Sequence, residues 1–159
     1  MQYAKRGVPP SLRCRIYKKI LYADQSQKDL DHFDKLNQDF ESWESALDEI
    51  IKTDINQVCN DDKYFIFQEI IEQGVQLFFR DRQVLDLMKC KPHATVLCTN
   101  AEEKIIGAYP PCGVIPYKKF SAYFAPLGFI SNTPEDCYYI FRSMYCKYYC
   151  YLNSISSHP

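Results

Sequence analysis

Apolar residues recur every three or four positions along most of this chain, which is the spacing of amphipathic helices. The first repeat consists of Leu12, Ile16 and Ile20, and it follows a Val-Pro-Pro turn at 8–10. Proline suits the first turn of a helix, because its missing N–H would have no partner there. We therefore predict a short helix that begins near residue 10.

A longer apolar seam predicts one extended helix packed along one side. Its members are Phe33, Leu36, Phe40, Trp43, Leu47 and Ile50. The same period brings Ile51 and then Asp54 round to the buried side, near the end of that helix. A carboxylate pressed against an apolar face costs several kcal/mol unless it is paired. Asp54 therefore either has a partner that holds it there or has turned to solvent.

The second half of the chain predicts further helices. An N-cap at 59–62 precedes a helical repeat, and a short helix follows Arg80-Asp81-Arg82. Thr133 is placed to cap another helix, with Pro134 at its first position and acidic residues behind it. The apolar positions of these three helices are Tyr64, Phe67, Ile71, Val75, Phe78 and Phe79, then Val84, Leu85, Leu87 and Met88, then Phe141, Tyr145, Tyr148 and Leu152.

Between 89 and 112 the periodicity fades, and prolines and a glycine punctuate the segment. We predict an irregular loop or insertion there. In the segment 117–130, Phe120, Phe124 and Leu127 can face a core, and Pro126 is expected to kink or end any helix. No hairpin signal and no strict apolar-polar alternation occur. The predicted fold class is all-α, with residues 1–159 in a single domain.

Composition limits the classes of function and partner that we expect for the chain. The chain has 159 residues, of which 47% are hydrophobic and 15% aromatic, so it is expected to fold around a core. Its 19 basic and 20 acidic residues give a net charge of -1 and are spread along the chain. Nucleic acid is therefore not an expected partner. No apolar run is long enough to span a bilayer and no signal peptide is evident, which predicts a cytosolic protein.

Cofactor and catalytic motifs are not apparent. In the cytosol the eight cysteines are expected to be reduced, and their spacing matches no zinc-binding pattern, so no metal is predicted. There is no phosphate-binding loop and no Gly-x-Ser-x-Gly elbow, and His32, His93 and His158 have no evident nucleophile partner. Catalysis by the chain itself is not expected. The cysteines are Cys14, Cys59, Cys90, Cys98, Cys112, Cys137, Cys146 and Cys150.

Several motifs nevertheless resemble the TBC domain, the all-helical fold of GTPase-activating proteins for Rab GTPases. RGVPPSLRCRIY is similar to that family's Arg-x-Gly-x-Pro turn followed by Leu-Arg-x-x-x-Trp, with Tyr17 at the tryptophan position. Arg13 and Tyr17 lie one helical turn apart, and by themselves these two would indicate only a surface arginine over a ring. The phrases NDDKYFIF, YPPCGVIP and YFAPLGFI look most like the member-19 branch of the family.

The two catalytic motifs of the family are altered in this chain. Ile51 and Asp54 match the motif Ile-x-x-Asp-x-x-Arg, but Gln57 stands where the family has its arginine finger. The Tyr-x-Gln motif aligns with 116–118, where Pro116 replaces the tyrosine and Lys118 the glutamine. The resemblance implies that Arg13 and Asp54 are brought together, and we expect them to form an ion pair.

The resemblance implies three alternative functions. The chain is a Rab GTPase activator whose usual chemistry is impaired, a non-catalytic module that binds a Rab or another partner, or a structural fragment without GTPase contact. Any GTP and Mg²⁺ would belong to the partner Rab, and no cofactor of the chain's own is expected. Membrane trafficking is the implied setting, with recruitment to membranes through the partner. The family's last helices are missing, so a truncated TBC domain is predicted.

Overall fold

The computed structural model describes residues 7–42, 44–90, 96–99 and 105–155, so Trp43, His93 and His158 lie outside the described residues. Within these ranges the helices confirm the predicted all-α class. They are α1 (Pro10–Leu21), α2 (Gln27–Ser42), α3 (Asp48–Cys59), α4 (Gln68–Arg80), α5 (Arg82–Leu87), α6 (Pro134–Met144) and α7 (Cys150–Ile155). Short 3₁₀ helices cover Phe65–Phe67, Phe120–Tyr123 and Ala125–Phe129, and Tyr145–Tyr149 is π-helical.

The core forms around α4, which packs against α2, α3 and α6. The ring of Phe78 on α4 is fully buried and lies 5.1 Å from Phe141 and 4.9 Å from Tyr145, measured between ring centroids. Phe120 and Phe124, from the 117–130 segment, complete this aromatic cluster. The predicted apolar positions of α4 and of that segment are therefore confirmed as core.

A glycine on α4 allows the ring of Phe124 to contact the helix backbone directly. A Cβ atom added to Gly74 on α4 would lie only 2.0 Å from Cζ of Phe124. The ring of Phe124 thus rests on the bare backbone of the helix. Because core interiors are close-packed, a side chain at position 74 would have to displace that ring.

The predicted long helix is wrong, because the chain breaks between α2 and α3. The Ser45 hydroxyl accepts a hydrogen bond from the Leu47 N–H, and the Asp48 carboxylate accepts one from the Ser45 N–H at 2.8 Å. These reciprocal bonds form a turn that resembles a capping box just before α3, whose N-cap residue is Leu47. Ile50, predicted to belong to the buried seam, is 55% exposed.

The break also moves Asp54, which was expected near the end of the long helix. It lies in the middle of α3, at the edge of the face that buries Ile51 and Ile55.

A short hairpin replaces part of the irregular segment predicted at 89–112. Strand β1 (Val96–Thr99) pairs antiparallel with β2 (Ile105–Tyr109), with Val96 opposite Tyr109. The expectation of no hairpin is therefore wrong at this one place. Apolar runs of four or five residues carry too little periodicity to distinguish a strand from other structure. The hairpin is tied to the helices through a hydrogen bond between the Ser45 and Tyr109 hydroxyls, 2.9 Å apart.

The C-terminal helices depart from the predicted face. Phe141 and Tyr145 are buried as expected, but Tyr148 is 56% exposed and Leu152 is 46% exposed. The π-helical turn at Tyr145–Tyr149 accounts for the difference, since its wider i to i+5 pattern shifts the helical register of Tyr148 within the turn and of Leu152 after it. Thr133 occupies the N-cap position of α6 but makes no side-chain capping hydrogen bond.

Candidate partner-binding surface

Asp54 holds the 116–121 segment against α3. Its carboxylate accepts hydrogen bonds from the Lys119 N–H, from the Ser121 N–H at 2.9 Å and from the Ser121 hydroxyl. Ser121 is fully buried, at the start of the 3₁₀ helix Phe120–Tyr123. Asp54 therefore caps that helix from outside, supplying the acceptor that its first N–H groups lack.

The predicted ion pair between Arg13 and Asp54 is wrong. The Arg13 guanidinium donates through Nε to the Val8 carbonyl at 3.2 Å and remains exposed. The physical requirement behind the prediction still holds, because the Asp54 carboxylate is compensated by donors. Those donors are two backbone N–H groups and a hydroxyl rather than a cation.

Backbone geometry aims these donors at a single carboxylate. Lys119 has φ 68°, in the left-handed region that residues other than glycine adopt at a cost of about 1 kcal/mol. Successive N–H groups around such a residue converge into an anion-binding concavity. The charge-assisted hydrogen bonds to Asp54 offset that cost. As a result, Pro116 and Lys118, which directly precede this turn, are brought beside α3.

Gln57 and Lys118 are both exposed and lie on the two elements that Asp54 joins. Gln57 comes three residues after Asp54, a spacing that places two side chains as neighbours on one helix face. The side chains of Gln57 and Lys118 form no hydrogen bond or ion pair with another of the residues that the structure describes. Both side chains are therefore available to a partner.

Aromatic packing supports the segment from its other side. The Tyr117 ring is half-buried and lies 5.4 Å from Phe120 and 6.3 Å from Tyr123, and Tyr123 in turn lies 5.0 Å from Tyr149. Burial, together with the neighbouring Tyr123, raises the pKa of Tyr117 well above its ordinary value. Tyr117 therefore stays neutral and packs against Phe120 and Tyr123.

Arg13 and Tyr17 lie in a separate open groove of about 450 Å³ between α1 and the 3₁₀ helix Ala125–Phe129. Phe129, on the groove wall, is 54% exposed, and its ring packs edge-on against Phe67 at 4.8 Å. The groove combines a cation with apolar walls, a surface that suits a protein partner. Its lining residues are Gly7, Val8, Arg13, Tyr17, Pro126, Phe129 and Ile130.

The structure thus divides the predicted site residues into two groups. Asp54 links the helix of Gln57 to the segment of Pro116 and Lys118. Arg13 and Tyr17 share the groove near Phe129. Sequence reasoning missed Lys119 and Ser121, because their contribution to the surface is largely through backbone N–H groups, which leave no signature in residue type.

Three further features were sought in the sequence: a metal site, reactive cysteines and a membrane-spanning helix. No group of three or more His, Cys, Asp or Glu side chains in the described part of the chain could hold a metal ion. The described cysteines are free, and burial raises the pKa of Cys137 and of Cys146 to about 12, so both remain thiols. No helix among the described residues is long and apolar enough to cross a membrane.

The chain is similar to TBC1 domain family member 19 from Homo sapiens, with 34% identity over 163 aligned positions. The alignment includes 99% of this chain and 31% of that protein, so the chain spans about a third of the relative's length. No family model matches the chain, and no solved structure matches it. The chain is thus similar to part of a TBC1 domain family member, and its all-α fold is consistent with that similarity.

Proposed function

From this relationship to TBC1 domain family member 19, we propose that the chain is part of a regulator of a Rab-family small GTPase, with weak or absent GTPase-activating chemistry. It engages the GTP-loaded Rab through the surface around Gln57 and Lys118. GTP and Mg²⁺ belong to the partner. The setting is membrane trafficking, in which Rab proteins bring their regulators to membranes.

One observation carries the proposal. The Asp54 carboxylate fastens the Lys119–Ser121 turn to α3, so the two positions that correspond to the family's catalytic motifs lie on elements joined by direct hydrogen bonds. Both side chains at those positions, Gln57 and Lys118, are exposed and without described partners. These contacts support the proposal that the chain keeps the scaffold of a two-residue site and presents residues that differ from the family's.

The energetic consequence of Gln57 is large. An arginine finger accelerates GTP hydrolysis by about 10³ to 10⁵, or roughly 4 to 7 kcal/mol of barrier, by stabilising charge on the transferring phosphoryl group. Glutamine carries no charge and cannot supply this stabilisation. The expected activity of the chain toward a bound Rab is correspondingly low.

Lys118 does not restore the missing chemistry. Its ammonium group is a compact point charge without the planar fork with which arginine grips two oxygens. It also has donors but no acceptor, so it cannot orient the attacking water as a glutamine amide does. A cation at position 118 therefore suits contact with an anionic partner surface better than catalysis.

Two alternatives remain distinct from this proposal. In one, the chain is a non-catalytic module that binds a Rab or another partner through the same surface. In the other, it is a structural fragment without GTPase contact. The exposure of Gln57, Lys118 and the groove around Arg13 favours a binding role over the purely structural one.

One paired experiment tests the proposal. Single-turnover GTP hydrolysis is measured across a panel of Rab proteins, alongside binding of the chain to their GTP-loaded forms. We expect binding to at least one Rab, with little or no acceleration. Lys118→Glu should weaken that binding, whereas Lys63→Glu, at another exposed site, should not. Absence of binding to every GTP-loaded Rab would reject the proposal and leave the structural fragment, or a module for another partner, in its place.

A further inference from the structure

Helix α1 presents its apolar stripe to solvent. Leu12 is 44% exposed and Ile20 is 59% exposed, and Ile16 lies between them on the same side. With 3.6 residues per turn, the three side chains form a row about 12 Å long. A contiguous apolar row on a folded surface is a candidate contact site.

Contacts with α6 and with the π-helical turn that follows it fix this orientation. On the opposite side of α1, Lys18 Nζ donates to the Asp136 carboxylate at 2.7 Å, and the Cys14 thiol donates to the same carboxylate at 3.3 Å. Lys147 Nζ donates to the Leu21 carbonyl and so holds the C-terminal end of the helix. The stripe therefore cannot turn inward without breaking these bonds.

The charge of α1 differs from that of the rest of the chain. The helix contains Arg13, Arg15, Lys18 and Lys19 and no acidic residue, so its net charge is +4. The remaining residues include 15 basic and 20 acidic side chains, which gives -5, so the overall balance conceals a strongly basic helix.

The cations that remain exposed flank the stripe on both sides. Helical geometry places Arg15 and Lys19 along one edge of the row and Arg13 along the other, each about 60° around the axis from a stripe residue. Lys18 is neutralised by Asp136 on the buried side. Lys19 pairs with Asp24, but both are largely exposed, at 70% and 51%, so this pair opens readily to another anion.

We propose that α1 is a docking surface for an anionic membrane. An apolar row with lysine and arginine on its flanks matches the boundary between acyl chains and negatively charged headgroups, where long basic side chains extend back toward the headgroups. The helix is short, so attachment is reversible and requires anionic lipid. This inference does not depend on the proposed Rab interaction and places a second, direct contact with the membrane beside it.

Vesicle sedimentation of the full chain tests this surface, using phosphatidylcholine vesicles with and without one-third phosphatidylserine. We expect binding only to the anionic vesicles, and weaker binding at high salt. Arg15→Gln with Lys19→Gln should weaken binding about 25-fold, at about five-fold per cation. Ile20→Ser should weaken it about ten-fold through lost apolar burial.

Matched controls lie on other helices. Lys28→Gln with Lys35→Gln removes two exposed cations from α2, and Ile50→Ser removes an exposed isoleucine from α3, and neither change should alter binding. Circular dichroism confirms that each variant is folded. The proposal is overturned if anionic lipid has no effect, if the controls lose as much affinity, or if Ile20→Ser leaves binding unchanged. Dissociation of a dimer by Ile20→Ser, without vesicle binding, would instead assign the stripe to self-association.

Discussion

At the scale of single residues, Asp54 shows both the reach and the limit of sequence reasoning. Its place on the apolar side of a helical repeat predicted that its carboxylate needs a polar partner. Hydrogen bonds from Lys119 and Ser121 meet that need. The prediction that Arg13 is the partner was wrong. Two of the three actual donors are backbone N–H groups, which the residue types in a sequence do not reveal. The actual donors depend on the left-handed conformation of Lys119, which nothing in the local sequence requires.

Removing the Asp54 carboxylate should destabilise the protein. We expect Asp54→Ala to lower the free energy of unfolding by about 2–3 kcal/mol, because it leaves the N–H and hydroxyl of Ser121 buried without an acceptor. Urea unfolding provides the measurement. Arg13→Ala and Asp62→Ala should each change stability by less than about 0.5 kcal/mol. An effect of Arg13→Ala as large as that of Asp54→Ala would restore the ion-pair model.

At the scale of elements, the helices were predictable because their apolar periods are long. The positions of α4 in the core and the start of α6 at Pro134 follow from the pattern alone. The structure departs from the predicted helices at two places, and local structure causes both departures. The turn closed by Ser45 and Asp48 separates α2 from α3, and a π-helical turn shifts the buried face after Tyr145.

The contact between α1 and α6 also makes stability depend on pH. Burial alone would raise the pKa of Asp136, but hydrogen bonds from Lys18 and Cys14 outweigh it and hold the pKa below its ordinary value. A carboxyl group whose pKa is lower in the folded state stabilises that state above its unfolded pKa, about 3.9. That stabilisation is lost as the pH falls through the folded-state value.

Unfolding of the variant Lys18→Met across a pH series measures this contribution. We expect it to be about 1 kcal/mol less stable than the unmodified chain near neutral pH, with the difference shrinking as the pH falls below about 4. Lys19→Met, which affects only the exposed pair with Asp24, should cost less than about 0.5 kcal/mol. A Lys18→Met difference that stays constant with pH would show that the charge of Asp136 does not fasten α1 to α6.

At the scale of the whole molecule, buried charge joins the layers. The Asp81 carboxylate is fully buried and accepts hydrogen bonds from the Tyr138 hydroxyl at 2.5 Å and from Arg142 at 3.2 Å, and His32 Nε2 lies 3.0 Å from it. These contacts tie α2 and α6 to the start of α5. Burial, followed by the Asp81 charge, raises the pKa of Tyr138 well above its ordinary value. Tyr138 is therefore a permanent donor to Asp81.

Apolar periodicity predicted the fold class, but it could not predict how the helices pack together, because buried charged residues join them. The run Arg80-Asp81-Arg82 predicted only an interruption of a helix, yet Arg80 and Asp81 are buried. Arg80 pairs with Asp48 at 2.7 Å, which connects α4 to the first residue of α3. Charged residues are seldom buried unless paired, and their partners, distant in sequence, cannot be read from local periodicity.

The central proposal is that Asp54 and the Lys119–Ser121 turn support a two-residue catalytic site, with Gln57 and Lys118 at the positions of the family's catalytic residues. Single-turnover GTP hydrolysis by a Rab that the chain binds tests it most directly, comparing the unmodified chain with Gln57→Arg and with Gln57→Arg combined with Lys118→Gln. We predict little acceleration by the unmodified chain, less than about ten-fold by the single variant and about 10³-fold or more by the double variant. Strong acceleration by the unmodified chain, or as much by Gln57→Arg alone as by the double variant, would contradict the claim.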